Sequence, residues 1–111
     1  MRLGLLLSQV RLDEKLLLAA LAGRGVAWTR LDDRALAFDL TGPPPELDLV
    51  LIRSVSESRA LYAAQILNAR GVRTVNAAPV IAVCNDKVAC TAALAAAGLP
   101  SPATRVAFTP E

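Results

Sequence analysis

Arg53 closes the apolar run LDLVLI, Ser54 follows it, Asn76 ends the short run VRTVN, and Lys87 follows Asp86 at the head of an Ala-rich stretch. Each lies where one element gives way to the next, and each is of a type that binds acids or anions. A guanidinium at the end of a buried strand can hold a carboxylate or phosphate through two parallel hydrogen bonds. The competing role for Arg53 is an ion pair with a nearby acid such as Asp32 or Glu57. Ser54 either caps the helix after it or contacts an anionic ligand at that helix N-terminus. Asn76 either fixes a turn through its side-chain amide or faces substrate. A cation at a helix start opposes the helix dipole, so Lys87 is either a surface lysine or a neutraliser of ligand charge, with Asp86 as the capping acid.

Other chemistries lack their residues. The chain has no His, which removes the commonest general base and metal ligand and any Ser/His or Cys/His nucleophile pair. The adjacent Asp32 and Asp33 have no third acidic ligand nearby and read as a turn, so no metal site is assigned. No Walker A loop and no G-x-G-x-x-G pattern is present, so a self-contained nucleotide site is not expected. Cys84 and Cys90 lie about 9 Å apart if helical, too far for a disulfide, and read as buried thiols in a reducing compartment. No catalytic residue is assigned within this chain.

The elements that position these residues follow from apolar runs and stop signals. Residues 2–7, 27–31, 47–52 and 72–76 read as strands that are apolar throughout rather than alternating, which marks burial on both faces. Asp13 is expected to cap a helix ending near Ala22, with Gly23 and Gly25 as stops. Ser54 and Glu57 match a capping box opening a helix to about Ala69, with Gly71 beyond it. A further strand is expected at residues 36–40, a helical turn at 79–84, and a helix from Lys87 to Ala97 stopped by Gly98. Thr104 begins a last strand reaching Phe108. The rhythm of strands and helices is that of an open parallel α/β sheet of about four strands with helices on both faces. Ligands in such sheets gather at the carboxyl ends of the strands, where Ser8, Gln9, Asp32, Asp33, Arg53, Ser54 and Asn76 lie.

The 111 residues suffice for one ordinary core. At 54% hydrophobic but 4% aromatic, that core is built from Leu, Val, Ile and Ala. The net charge of +2 and the scattered basic residues argue against a nucleic-acid partner. The apolar start is too short for a signal-peptide core or a membrane span, so a cytoplasmic protein with no membrane partner is expected. The composition changes after Cys84, giving expected units of 1–84 and 85–111.

The stretch from residue 75 to 108, with Asn76, Cys84, Asn85, Asp86, Lys87, Leu94, Gly98, Pro100, Pro102 and Thr104, resembles the hinge of the RimK-type ATP-grasp ligases. There a small pre-ATP-grasp α/β domain precedes the ATP-binding domains. Within that family the likeness is strongest to the LysX-type ligases of lysine biosynthesis, which attach α-aminoadipate to an amino-group carrier protein. The resemblance implies a carboxylate–amine ligase that works through an acyl phosphate with ATP and Mg²⁺, whose sites lie mostly outside this segment. It implies that Lys87 approaches the ATP phosphates, that residues 85–111 begin the ATP-grasp domain, that this segment alone is inactive, and that the full-length enzyme is a homo-oligomer. Arg53, Ser54 and Asn76 are then the substrate-binding candidates. The alternatives are a RimK-like glutamate ligase acting on a ribosomal protein and a non-catalytic flavodoxin-like module. A receiver domain is disfavoured because the first strand leads to Ser8 rather than an acidic cluster, and the third to Arg53 rather than an acceptor Asp.

Overall fold

The computed structural model describes residues 1–110. They form β1 (Leu3–Leu7), α1 (Leu12–Gly23), β2 (Trp28–Asp32), β3 (Leu49–Arg53), α2 (Glu57–Ala69), β4 (Arg73–Val75), α3 (Ala78–Asn85) and α4 (Lys87–Ala96). The chain divides into two compact units, Met1–Ala78 and Pro79–Glu111. That boundary falls earlier than the change in composition near residue 84 suggests.

In the first unit the four strands are parallel, in the order β2-β1-β3-β4. β1 is central and all five of its residues are buried, as its unbroken apolar sequence requires. From β1 the chain steps outward to β2 through α1, and from β3 it steps outward the other way to β4 through α2. Right-handed crossovers in opposite directions put the two helices on opposite faces of the sheet.

The α2 face carries the core. Ala60, Ala63, Ala64 and Leu67 form the buried stripe of α2 at helical spacing. Leu6, Val50, Ala63, Leu67 and Val72 make one cluster, with Leu31, Leu36, Phe38, Leu47 and Ile52 packed around it. The alanines let the helix lie close to the sheet. Gly4 serves the same face: a Cβ there would stand 3.2 Å from side-chain atoms of both Leu31 and Val50, tighter than close packing comfortably accepts. Gly71, with φ +80°, ends α2 in the left-handed conformation that glycine adopts without strain.

Several expectations are corrected. Burial on both faces holds for β1 but not for the edge strands, and Leu49 and Leu51 of β3 are half-buried. Residues 36–40 form no strand: Leu36 and Phe38 turn into the core instead, and Leu40 is exposed. The alternation there mimics a strand, but no ladder partner meets it. Asp39 instead accepts the backbone N–H groups of Thr41 and Gly42, and the Arg70 guanidinium donates to the carbonyls of Leu40 and Gly42. Residues 104–108 likewise have no strand partner among the described residues. α1 starts from Arg11, with Asp13 inside the first turn.

In the second unit, Asp86 caps α4 by accepting the Ala89 N–H at 3.0 Å, as its position before Lys87 suggests, and Gly98 follows at φ +70°. Residues 79–84 belong to α3, which is longer than the single turn expected. Cys84 is exposed and Cys90 half-buried, both as free thiols, so burial does not account for Cys84. Among the described residues no single helix is long and apolar enough to cross a membrane.

Leu6 is fully buried and Leu16 is 62% exposed. Urea unfolding should therefore show Leu6→Ala losing about 2–5 kcal/mol and Leu16→Ala less than about 0.5 kcal/mol. Equal losses would contradict the assignment of the core to the α2 face and central strand.

Candidate functional site

The strand order reverses between β1 and β3, and in open α/β sheets the crevice at that switch point is where ligands bind. The register Leu7↔Arg53 brings the ends of both strands together there. Two polar systems meet at this edge, one on each side of the sheet.

On the α1 side the Arg53 side chain reaches Glu14 of α1. Its Nη2 donates to Glu14 Oε1 at 2.7 Å and its Nε to the same oxygen at 3.1 Å. Glu14 Oε2 accepts the Arg11 N–H at 3.1 Å, and Asp13 lies 3.8 Å from Arg53 Nη2. The Glu14 side chain is wholly buried while Arg53 stays 39% exposed. The hydrogen bonds from Arg53 hold the Glu14 carboxyl down at about 2, against the opposing effect of burial and with help from the Arg11 N–H. The partner of Arg53 is therefore Glu14, with Asp13 beside it. Asp32 is occupied with Arg34, accepting its backbone N–H at 3.0 Å and its guanidinium at 3.2 Å.

On the α2 side the Ser8 hydroxyl links three strand ends. It donates to Asp33 Oδ2 at 2.6 Å and accepts the Val55 N–H at 2.9 Å. Asp33 is held in turn by its own N–H, which donates to Leu7 O. Ser54 does not cap α2: the capping oxygen is that of Ser56, which accepts the Arg59 N–H at 3.3 Å. The sequence S-V-S-E offers two serines, and the chain enters the helix two residues later than the capping-box pattern suggests. Ser54 Oγ is left buried with no hydrogen-bond partner among the described residues.

At the end of β4, Asn76 is exposed and its carbonyl accepts the Thr74 hydroxyl. The residue that organises this end is Asn68 of α2. Its amide donates to Val72 O and Thr74 Oγ1, and its Oδ1 accepts the Ala78 N–H. The structure thus gathers Arg53 and Ser54 at the switch point and places Asn76 apart, beyond β4. Glu14, Ser8, Asp33 and Asn68 carry the polar framework; the sequence marks Ser8 and Asp33 only as strand-end residues and does not mark Glu14 or Asn68. A buried acid in the first turn of α1 looks like any first-turn acid until its partner 39 residues away is known.

In the second unit, Lys87 is exposed at the start of α4. With Arg105, Thr91 and Thr104 it lines an open groove of about 640 Å³, together with Val88 and Ala95. Two cations on one groove make it suitable for an anion, and no group of three metal-ligating side chains occurs among the described residues.

Doubly wound topology, with its polar side chains gathered at the switch point, defines a Rossmann-like α/β module. The chain belongs to the LysX preATP-grasp domain family, whose model matches residues 3–83. It is 34% identical over 111 residues to the glutamate–LysW ligase ArgX of Sulfurisphaera tokodaii, covering all of this chain and 39% of that protein. Its identity to the enzyme of the same name from Sulfolobus acidocaldarius is 31%, over 97% of this chain and 38% of the other. The crystal structure of a RimK domain ATP-grasp protein from Sphaerobacter thermophilus matches with a TM-score of 0.80 at 30% identity, over 97% of this chain and 41% of that one. The chain thus spans about two-fifths of the length of these relatives.

The Glu14 carboxyl titrates lower in the folded chain than in the unfolded one. Its charge therefore stabilises the fold above the ordinary carboxyl range, and that contribution is lost as pH falls from about 4.5 towards about 2. Melting curves across this range should show Glu14→Gln melting well below the parent at neutral pH, with the gap closing in acid. Parallel curves would show that the pair with Arg53 contributes nothing specific.

Proposed function

We propose that this chain is the pre-ATP-grasp domain of an ATP-dependent carboxylate–amine ligase that joins an acidic amino acid to an amino-group carrier protein. The observation that carries this is the match of essentially the whole chain, in sequence and in fold, to part of RimK-type ATP-grasp proteins, two of them named as glutamate–LysW ligases. The reaction would run through an acyl phosphate, with ATP and Mg²⁺ held mostly by the rest of the ligase, in the cytoplasm. The LysX family match favours α-aminoadipate as the amino acid, and the names of the relatives favour glutamate. The two differ by one methylene, worth about 1–3 kcal/mol of discrimination in a pocket shaped for one of them.

The roles proposed for this chain are binding and positioning. Arg53, braced by Glu14 yet partly exposed, would offer its remaining N–H groups to a substrate carboxylate. The unpartnered Ser54 hydroxyl and the exposed Asn76 would supply polar contacts. Lys87 would neutralise ATP phosphate charge.

Incubating the full-length ligase with ATP, Mg²⁺, its carrier protein and either amino acid should give ADP and a carrier heavier by one amino-acid residue in mass spectra. The preferred amino acid decides between α-aminoadipate and glutamate. Release of AMP, or no adduct with either, would sink the proposal. The 111-residue chain alone should release no phosphate from ATP above a heat-killed control.

Two substitutions test the residues. Arg53→Ala should raise the KM for the amino acid or carrier more than that for ATP. A lower melting temperature with unchanged KM values would confine Arg53 to its pair with Glu14. Lys87→Met should change stability by less than about 0.5 kcal/mol while weakening ATP use by at least about tenfold. Full activity at sub-saturating ATP would leave Lys87 a solvated helix lysine.

A further inference from the structure

On the α2 face, away from the Glu14–Arg53 side, a second site is built into the first unit. A cavity of about 150 Å³ opens there, lined by Asp33, Arg59, Leu36, Phe38, Ala63 and Ile66 among others. Its walls are apolar except for the Asp33 carboxylate, the Arg59 guanidinium and Tyr62, which carries a phenol hydroxyl. The Asp33 side chain is only 2% exposed. Its Oδ2 is satisfied by Ser8, but its Oδ1 is buried with no hydrogen-bond partner among the described residues. A buried carboxylate oxygen without a donor is costly. The nearest cation, Arg59 Nη1, stands 3.8 Å away, beyond hydrogen-bond reach. Arg59 is 52% exposed, so its guanidinium can swing from beside Asp33 Oδ1 towards a ligand, giving the ligand access to that oxygen without disturbing the core.

A ligand that completes this site must donate to Asp33 Oδ1, accept from Arg59, and cover Leu36, Phe38, Ala63 and Ile66 with hydrocarbon. A simple alkylammonium would meet the first requirement but would face Arg59 with like charge. A fatty carboxylate would meet the second but would face Asp33. An α-amino acid carries an ammonium and a carboxylate on neighbouring atoms and so answers both. The cavity, equal to about five waters of liquid, limits the side chain to a small aliphatic one. An acidic side chain would lose solvation against the apolar wall without a cationic partner there. We propose that the cavity bounded by Asp33 and Arg59 is a binding site for an aliphatic α-amino acid, with Asp33 holding its ammonium and Arg59 its carboxylate. This site is distinct from the proposed contacts at Arg53 and does not depend on the ligase assignment. Because Asp33 directly follows β2 and Arg59 lies in the first turn of α2, a bound amino acid would fasten the segment after β2 to that helix.

The test is a titration of L-leucine into the isotope-labelled 111-residue chain, followed by the NMR signals of Leu36, Ala63 and Ile66. Saturable shifts at millimolar ligand are expected. Isocaproate, which lacks the ammonium, and isoamylamine, which lacks the carboxylate, should each bind at least about tenfold more weakly. Arg59→Met, on an exposed side chain, should fold as the parent does and lose binding to a similar extent, and Asp33→Asn should do the same if it folds. Three results would each overturn the proposal: no saturable shift, equal binding of leucine and its two analogues, or tighter binding of L-glutamate than of L-leucine. Unchanged leucine affinity in Arg59→Met would do so as well.

Discussion

The wholly buried carboxylate of Glu14 is the constraint on which the carboxyl edge of the sheet depends. An ionised carboxylate removed from water is tolerated only when donors replace its hydration. Arg53 supplies two N–H groups from the end of β3, and the Arg11 backbone supplies a third from the start of α1. Satisfying one charge therefore fixes three things together: the entry to α1, the end of β3 and the direction of the Arg53 side chain. Arg53 cannot be moved without removing both guanidinium donors from Glu14 Oε1.

The opposite side of the same edge is held by a smaller system. The Ser8 hydroxyl, with one donor and room to accept, links β1 to Asp33 beyond β2 and to the Val55 N–H beyond β3. Between them the two systems brace the switch point from both faces of the sheet, so a ligand there meets pre-set polar groups rather than loose loops. Such bracing suits a domain whose proposed work is to position a substrate, since misplacement of about 1 Å is costly to a reaction that relies on orientation.

The two units differ in how they are held. The first has a continuous core on the α2 face. In the second, α4 buries none of its residues, and Val88, Leu99 and Val106 are exposed. Its order comes from local devices: the Asp86 cap, the left-handed Gly98 and the backbone bonds that close α4. Membership of the pre-ATP-grasp family accounts for the first unit directly, because the family match ends at residue 83.

The sequence by itself determined the parts that depend on near neighbours. The four strands, the helices between them, the glycine stops after α2 and α4 and the Asp86 cap all arise from apolar runs and local backbone chemistry, and they are where the pattern places them. The hinge-like residues from Asn76 to Thr104 were enough to indicate the family. Tertiary structure decided everything that joins distant residues. The period-2 pattern of residues 36–40 is a strand only if a neighbour offers a ladder, and the core claimed Leu36 and Phe38 instead. Ser54 and Ser56 are equivalent as caps on paper, and the path of the chain out of β3 chose Ser56. Arg53 was legible as a strand-end cation, yet its partner was not, because α1 reaches it only through the crossover that stacks that helix on the sheet. Asp33 looked like half of a turn. Its burial beside Arg59 exists only because β2 and α2 are brought together around β1, and no local rule contains that juxtaposition.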